Sequence, residues 1–242
     1  MANTGVAGLL ATWEAGLVEA SAGRARLLHR TARPDLDAGA LPQRPLGERE
    51  ADLFALRRAL FGERMQVRLE CHACGADMEF DLDAGAFARS LGGPDTSVVG
   101  LAEGGWDVEF RLPAPADLAA AARAADPRAA LLARCLVSAV RDGTAVPADA
   151  LPAPVQRRIA DAVEAADPGA DVTLNVNCPE CGAATRAELD MASFLWTELD
   201  AWARDVLLDV HLLATAYGWS EPEILALSPL RRRYYLELCA DV

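Results

Sequence analysis

Four cysteines stand in two C-x-x-C pairs, Cys71/Cys74 and Cys178/Cys181, each followed at once by glycine. Two residues between the cysteines let one tight turn aim both thiolates at a single ion, and the glycine permits the positive φ that such a turn needs. Two knuckles of this kind supply the four-thiolate tetrahedron of a structural zinc site, which has no open position for water or substrate. The spacing therefore predicts that Cys71, Cys74, Cys178 and Cys181 together hold one structural Zn2+ per chain. The same residue types leave a second chemistry open, that of a thiol oxidoreductase, since C-x-x-C also serves thiol–disulfide exchange. A redox pair normally opens a helix after a strand and is not duplicated on hairpin tips, so zinc is the preferred reading. His72 lies inside the first knuckle, but Pro179 takes its place in the second, so it reads as a solvated residue and not a ligand. His29 and His211 are isolated on helical stretches, and Cys135 and Cys239 sit in apolar helical contexts as small buried side chains. No G-x-G-x-x-G after a strand, phosphate-binding loop, H-E-x-x-H or G-x-S-x-G is present in the sequence.

The elements that must position these cysteines form an internal repeat. A constant offset of 107 maps Cys71 onto Cys178, Cys74 onto Cys181, Gly75 onto Gly182, Leu82 onto Leu189, Asp83 onto Asp190 and Phe87 onto Phe194. Met65, Val67 and Leu69 alternate with polar residues before the first pair, and Met78, Phe80 and Leu82 alternate after it. Val172, Leu174 and Val176 lead into the second pair in the same way. A period of two is the signature of a half-buried strand, so each CxxCG is predicted to be the tip of a β-hairpin. The run Trp106, Val108, Phe110 and Leu112 offers a further strand.

Apolar spacing of three and four residues predicts helices over 7–21, 24–32, 48–61, 116–125, 127–141 and 154–166. Proline and glycine mark loops at 33–47, 91–105 and 143–154. Leu195, Leu199, Trp202, Val206, Val210 and Leu213 form a stripe on a long helix ending near Gly218. Ser220-Glu221-Pro222-Glu223 has the form of a capping box, and Ser228-Pro229 restarts a last helix. The expected architecture is α+β, mainly helical, with a small antiparallel zinc-ribbon-like sheet made of two CxxCG β-hairpins. Five regions follow: helical 1–62, the first knuckle hairpin and a strand in 63–112, a helical insertion at 113–168, the second hairpin completing the sheet in 169–192, and helical 193–242.

The chain has 242 residues, 52% of them hydrophobic and 24% charged, normal for a globular protein able to bury a sizeable core. All 23 basic residues are arginine, against 36 acidic ones, for a net charge of −13. That excess disfavours nucleic-acid binding, which needs a basic footprint. It also makes the run Arg231, Arg232, Arg233, Tyr234, Tyr235 a poor nucleic-acid patch. With Trp219 these are instead residue types enriched at protein interfaces, and they propose a partner surface on the C-terminal helices. The competing reading is that the same helices complete the core. No apolar run reaches the length of a membrane span, and the start MANTGVAGLLATWEAGL lacks the charged region of a signal peptide. A cytoplasmic address is expected.

The segment AYGWSEPEILALSPLRRRYYLEL (216–238) resembles one found in tail-assembly and baseplate proteins of contractile-tailed phages and phage-tail-derived injection systems. RPLGERE (44–50), ALRRALFG (55–62), FRLPAPADL (110–118), ARCLV (133–137), CPECG (178–182) and FLWTEL (194–199) extend the resemblance over most of the chain. The family it suggests is that of the T4-type phage baseplate hub assembly proteins, often described as assembly chaperones. The resemblance implies a non-enzymatic protein, working among baseplate and hub proteins of a contractile tail in the host cytoplasm or incorporated in the particle. It does not supply the zinc, which rests on the cysteine spacing alone.

Overall fold

The computed structural model describes residues 5–94 and 96–240 of the chain. Helices α1 (Val6–Leu17), α2 (Ser21–Ala32) and α3 (Leu46–Phe61) precede the first hairpin, β1 (Arg64–Glu70) and β2 (Asp77–Asp83). Then come α4 (Ala84–Leu91), β3 (Val98–Glu103), β4 (Trp106–Arg111), α5 (Pro115–Ala121) and α6 (Pro127–Cys135). Next are β5 (Leu136–Arg141), β6 (Thr144–Ala145) and α7 (Ala153–Ala166). The second hairpin is β7 (Thr173–Asn177) and β8 (Ala184–Glu188), followed by α8 (Met191–Tyr217), α9 (Glu221–Leu225) and α10 (Pro229–Ala240). Contacts gather the chain into two units, Leu36–Met191 in one and Met1–Asp35 with Ala192–Val242 in the other, where the sequence reading has five successive regions.

The α+β class and both CxxCG hairpins are as expected, and the described strands are all antiparallel. The sheet itself is divided. β1–β2 and β7–β8 are separate two-stranded sheets, and β3–β4–β5–β6 is a third, so the second hairpin does not complete a sheet begun by the first. Two-stranded ribbons are marginal alone. These two pack against each other instead, around Cys71, Met78 and Cys178, with Leu69, Ala76, Val176 and Ala183 closing the small core.

The middle sheet corrects two expectations. The region 91–105 contains β3, because Gly104-Gly105, both at positive φ, makes a two-residue turn that folds Val98–Glu103 back onto β4. The helix expected over 127–141 stops at Cys135, and Leu136–Arg141 pairs with β4. Alanine gives way there to Leu136, Val137 and Val140, and Asp142-Gly143, again at positive φ, turns the chain into β6. The insertion at 113–168 is therefore not wholly helical. Val108, Phe110, Cys135, Ala139, Leu151, Val155 and Ile159 form the core between this sheet and α7.

In the other unit α8 buries Leu195, Leu199, Val206 and Leu213 with Leu9, Leu10 and Trp13 of α1, Leu28 of α2 and Ile224 of α9 among the buried set. Trp13 donates its indole N–H to Asp200 at 2.8 Å. The Glu223 carboxylate accepts the Ser220 backbone N–H at 2.8 Å, as the capping-box text predicts. No helix among the described residues is long and apolar enough to cross a membrane.

Candidate metal centre

The two knuckles repeat each other bond for bond. In the first, the Cys71 N–H donates to Ala76 O at 2.9 Å and the Gly75 N–H to Cys71 O at 2.8 Å. In the second, the Cys178 N–H donates to Ala183 O and the Gly182 N–H to Cys178 O, both at 2.9 Å, with the offset of 107 kept throughout. Gly75 and Gly182 have φ of 72° and 71°, the left-handed conformation that closes the tip and that a side chain would oppose. The strand ends flanking the tips match as well, Glu70 opposite Asp77 and Asn177 opposite Ala184. The repeat then continues into a helix: Asp83 caps α4 through the Ala86 N–H at 2.6 Å, and Asp190 stands one residue before α8.

This duplication brings four sulfurs from segments far apart in the chain to one point. The Sγ atoms of Cys71, Cys74, Cys178 and Cys181 all lie within 4.8 Å of one another. The close approaches cross between hairpins, Cys71 to Cys181 and Cys74 to Cys178, each at 3.7 Å. A tetrahedral ion with Zn–S bonds of ~2.3 Å requires S···S edges of about 3.8 Å. A disulfide needs ~2.05 Å, and all four thiols are free. Cys71 and Cys178 are buried whereas Cys74 and Cys181 are exposed, so the cluster faces the small core on one side and solvent on the other.

The electrostatics favour a cation. The backbone N–H groups of Cys74 and Ala73 aimed at the Cys71 sulfur, with the Thr185 hydroxyl at 3.8 Å, bring its thiol down to about 6 despite burial. Cys74 accepts the Ala76 N–H, which acts downward, but the neighbouring thiols of Cys181 and Cys71 and burial push it up to about 12. One member of the cluster thus ionises readily and the charge opposes the next ionisation. A divalent ion removes that opposition and deprotonates the thiols it binds. Distances, donor type and N–H···S bonds all fit zinc.

The other residues singled out by sequence fall elsewhere. His72 and His211 are exposed and His29 is buried, none of them with the cysteine cluster. Cys135 is buried as expected, but Cys239 is only half-buried. Of the partner-surface residues, Arg231, Arg233 and Tyr234 are exposed on α10. Arg232 is not available to a partner. It is 7% exposed and pairs with Asp209 of α8 at 3.1 Å, because its position on α10 points inward. Trp219 stacks on Tyr217 at 4.6 Å and meets Tyr235 edge-on at 4.8 Å, so Trp219 and Tyr235 are half-buried in a ring cluster of their own.

Charged groups that periodicity does not reveal hold the unit around the metal centre. Asp117 is fully buried and accepts from both terminal nitrogens of Arg111 at 2.7 and 3.0 Å, from Arg134 at 3.1 Å and from the Ala114 N–H at 3.0 Å. Two distant motifs, FRLPAPADL and ARCLV, therefore meet in one ion network. Buried Arg57 of ALRRALFG donates to the carbonyls of Gly62 and Arg64, both at 2.7 Å, fixing the entry into β1. Asp167 accepts the Gly47 N–H at 3.0 Å and so caps α3, whose own N-cap is Pro45. The only sequence signal for these groups was the odd placing of charge inside apolar text. A cavity of 970 Å3 lies between α6 and α7, lined by Leu131, Leu132, Ile159 and Val163 and distinct from the cysteines.

A family model described as T4 bacteriophage base plate protein matches residues 36–196, which is 161 of the 242 residues. The match starts at the first residue of the hairpin-bearing unit and ends in the early turns of α8. It includes both knuckles and leaves the segment 216–238 outside. No curated protein and no solved structure matches the chain.

Proposed function

The chain belongs to the T4 bacteriophage base plate protein family, and on that premise we propose that it is a non-enzymatic assembly chaperone or minor structural component of the baseplate hub of a contractile tail or tail-like injection system. The observation that carries this reading is the coincidence of the matched stretch with the unit built on the duplicated knuckles. The chemistry of that unit is that of a fastener. Cys71 and Cys74 present one pair of thiolates, Cys178 and Cys181 the other, and the 3.7 Å approaches join one hairpin to its copy. Zinc, when bound there, supplies a four-coordinate link between the hairpins that neither ribbon's few hydrogen bonds provide. Thr185 orients the Cys71 sulfur, and Met78 with Val176 keeps the inner side of the cluster dry.

The partner surface in this reading lies on the C-terminal helices, narrowed to the exposed Arg231, Arg233 and Tyr234 together with Leu230 and Leu238. The natural partners are the other tail proteins of the same gene cluster, and the work is done in the bacterial cytoplasm before or during incorporation into the particle. Co-expression with each of those proteins, followed by size-exclusion chromatography, tests it. The expected result is co-elution with one hub protein that is lost with Arg233→Glu on the exposed side of α10. Disulfide reductase turnover by the metal-free protein that disappears in Cys74→Ser would assign the cysteines to redox chemistry and overturn the proposal.

A further inference from the structure

The outward face of α10 is an apolar face of the C-terminal helices left uncovered among the described residues. Leu230, Tyr234 and Leu238 are 65%, 61% and 59% exposed, while Arg232 on the opposite side is buried against Asp209. At 3.6 residues per turn, positions 230, 234 and 238 follow one line along the helix. Arg231 and Glu237 fall at equal angles on either side of Tyr234, and at equal distances before and after it.

This order of residues has a symmetry of its own. Read outward from Tyr234 in both directions, the face presents Glu237 then Leu238 one way and Arg231 then Leu230 the other. Apolar residues mirror apolar residues, and charge mirrors opposite charge. A two-fold axis through Tyr234 lays a second α10 antiparallel on the first. Leu230 then meets Leu238 of the copy, the two Tyr234 rings meet on the axis, and Arg231 faces Glu237 of the copy on both sides. A self-complementary patch of this kind is what an isologous contact requires. Arg231 has no ion pair among the described residues. Among the described residues Glu237 is held only by Arg233, an exposed i,i+4 pair at 2.9 Å on one carboxylate oxygen, which leaves the other oxygen for a second guanidinium. Leu212 of α8, 44% exposed, stands across a 310 Å3 groove from Leu236 and Cys239 and widens the apolar surface beside α10.

We propose that the outward face of α10 pairs with the same face of a second copy of this chain, giving a two-fold dimer with Tyr234 on the axis. The proposal rests on the reading of the C-terminal helices as an interaction surface, and it names the partner of that face. One helix face with a flanking leucine is a small interface, so the dimer forms and dissociates with protein concentration. Its specificity comes from the two Arg231–Glu237 pairs, because exchanging the sign of one partner sets like charges against each other at both ends.

Sedimentation velocity on the purified full chain, over a concentration series at ordinary salt, tests it without any tail protein present. The wild type is expected to shift from monomer to dimer as concentration rises. Arg231→Glu and Glu237→Arg, each alone, are expected to weaken the dimer by about tenfold or more, whereas the double variant R231E/E237R regains it. Tyr234→Asp places two carboxylates on the axis and is expected to leave a monomer with an unchanged melting transition, since the side chain is exposed. A chain that stays monomeric at every concentration overturns the proposal, as does a dimer that all four variants keep. If the monomeric chain binds a hub protein and Tyr234→Asp abolishes that binding, self-pairing is overturned while the interaction-surface reading stands.

Discussion

Removing the Asp117 carboxylate tests whether the ion network joining FRLPAPADL to ARCLV holds the hairpin-bearing unit together. Asp117→Ala leaves the Ala114 N–H without its side-chain acceptor and frees the guanidinium groups of Arg111 and Arg134 from their carboxylate. Breaking a fully buried pair costs ~3–5 kcal/mol. The Arg111 and Arg134 side chains are 32% and 43% exposed, so water repays part of the loss, and the cost for this site is about 3 kcal/mol. For a chain of this size that lowers the melting transition by about 6–12 °C. Asp117→Asn keeps the shape and one acceptor and is expected to lose about half as much. The pH dependence has a defined sign. Burial pushes the Asp117 carboxyl upward, but the Arg111 hydrogen bond, the Ala114 N–H, the Arg111 charge and the Arg134 hydrogen bond outweigh it and hold it below the usual carboxylate range. Its stabilisation is therefore complete above the unfolded carboxylate pKa near ~4 and fades as pH falls through the lower folded value. Thermal unfolding followed by circular dichroism, at neutral pH and at acid pH, gives both quantities. An Asp117→Ala transition within about 0.5 kcal/mol of wild type at neutral pH would show that the network does not hold the unit.

Gly47→Ala is expected to destabilise by about 1–3 kcal/mol in urea unfolding, because a Cβ there would collide with the Asp167 carboxylate. Asp167→Ala alone loses the long-range cap of α3, about 1 kcal/mol, and the double variant costs less than the sum of the two. Cys178→Ser is expected to raise amide hydrogen exchange at Cys71 and Gly75 as well as at Gly182, although all its covalent neighbours are in the second hairpin.

The knuckles were legible because glycine, cysteine and strand alternation all pointed to one local structure, and the offset of 107 tied one copy to the other. The α+β class followed from the same patterns. Less legible was whatever depends on long-range pairing. Leu136–Arg141 continues an alanine-rich helical text, and only its hydrogen bonds to β4 make it a strand. The hairpin turns Gly104-Gly105 and Asp142-Gly143 were visible signals for the missed strands, since adjacent positive-φ residues suit two-residue loops. Whether the hairpins share hydrogen bonds or only side-chain contacts is not written in alternation, which marks a buried face but not the neighbour that buries it. Arg232 and Asp117 show the same limit for charge. Neither the arginine run assigned to a partner surface nor the aspartate in the helix expected over 116–125 carries a local sign of burial, and only the partner across the fold, Asp209 for Arg232 and Arg111 for Asp117, reveals which of them is interior.

The role of the knuckles as a fastener depends on four cysteines from two copies of one hairpin binding a single metal ion together. The decisive measurement is metal analysis of the full chain purified without added metal, with thiol titration of the same sample. About one zinc per chain is expected, with its loss and the release of the Cys71, Cys74 and Cys181 thiols when Cys178→Ser is introduced. No zinc, or two, with the four thiols free in the native protein, would contradict it.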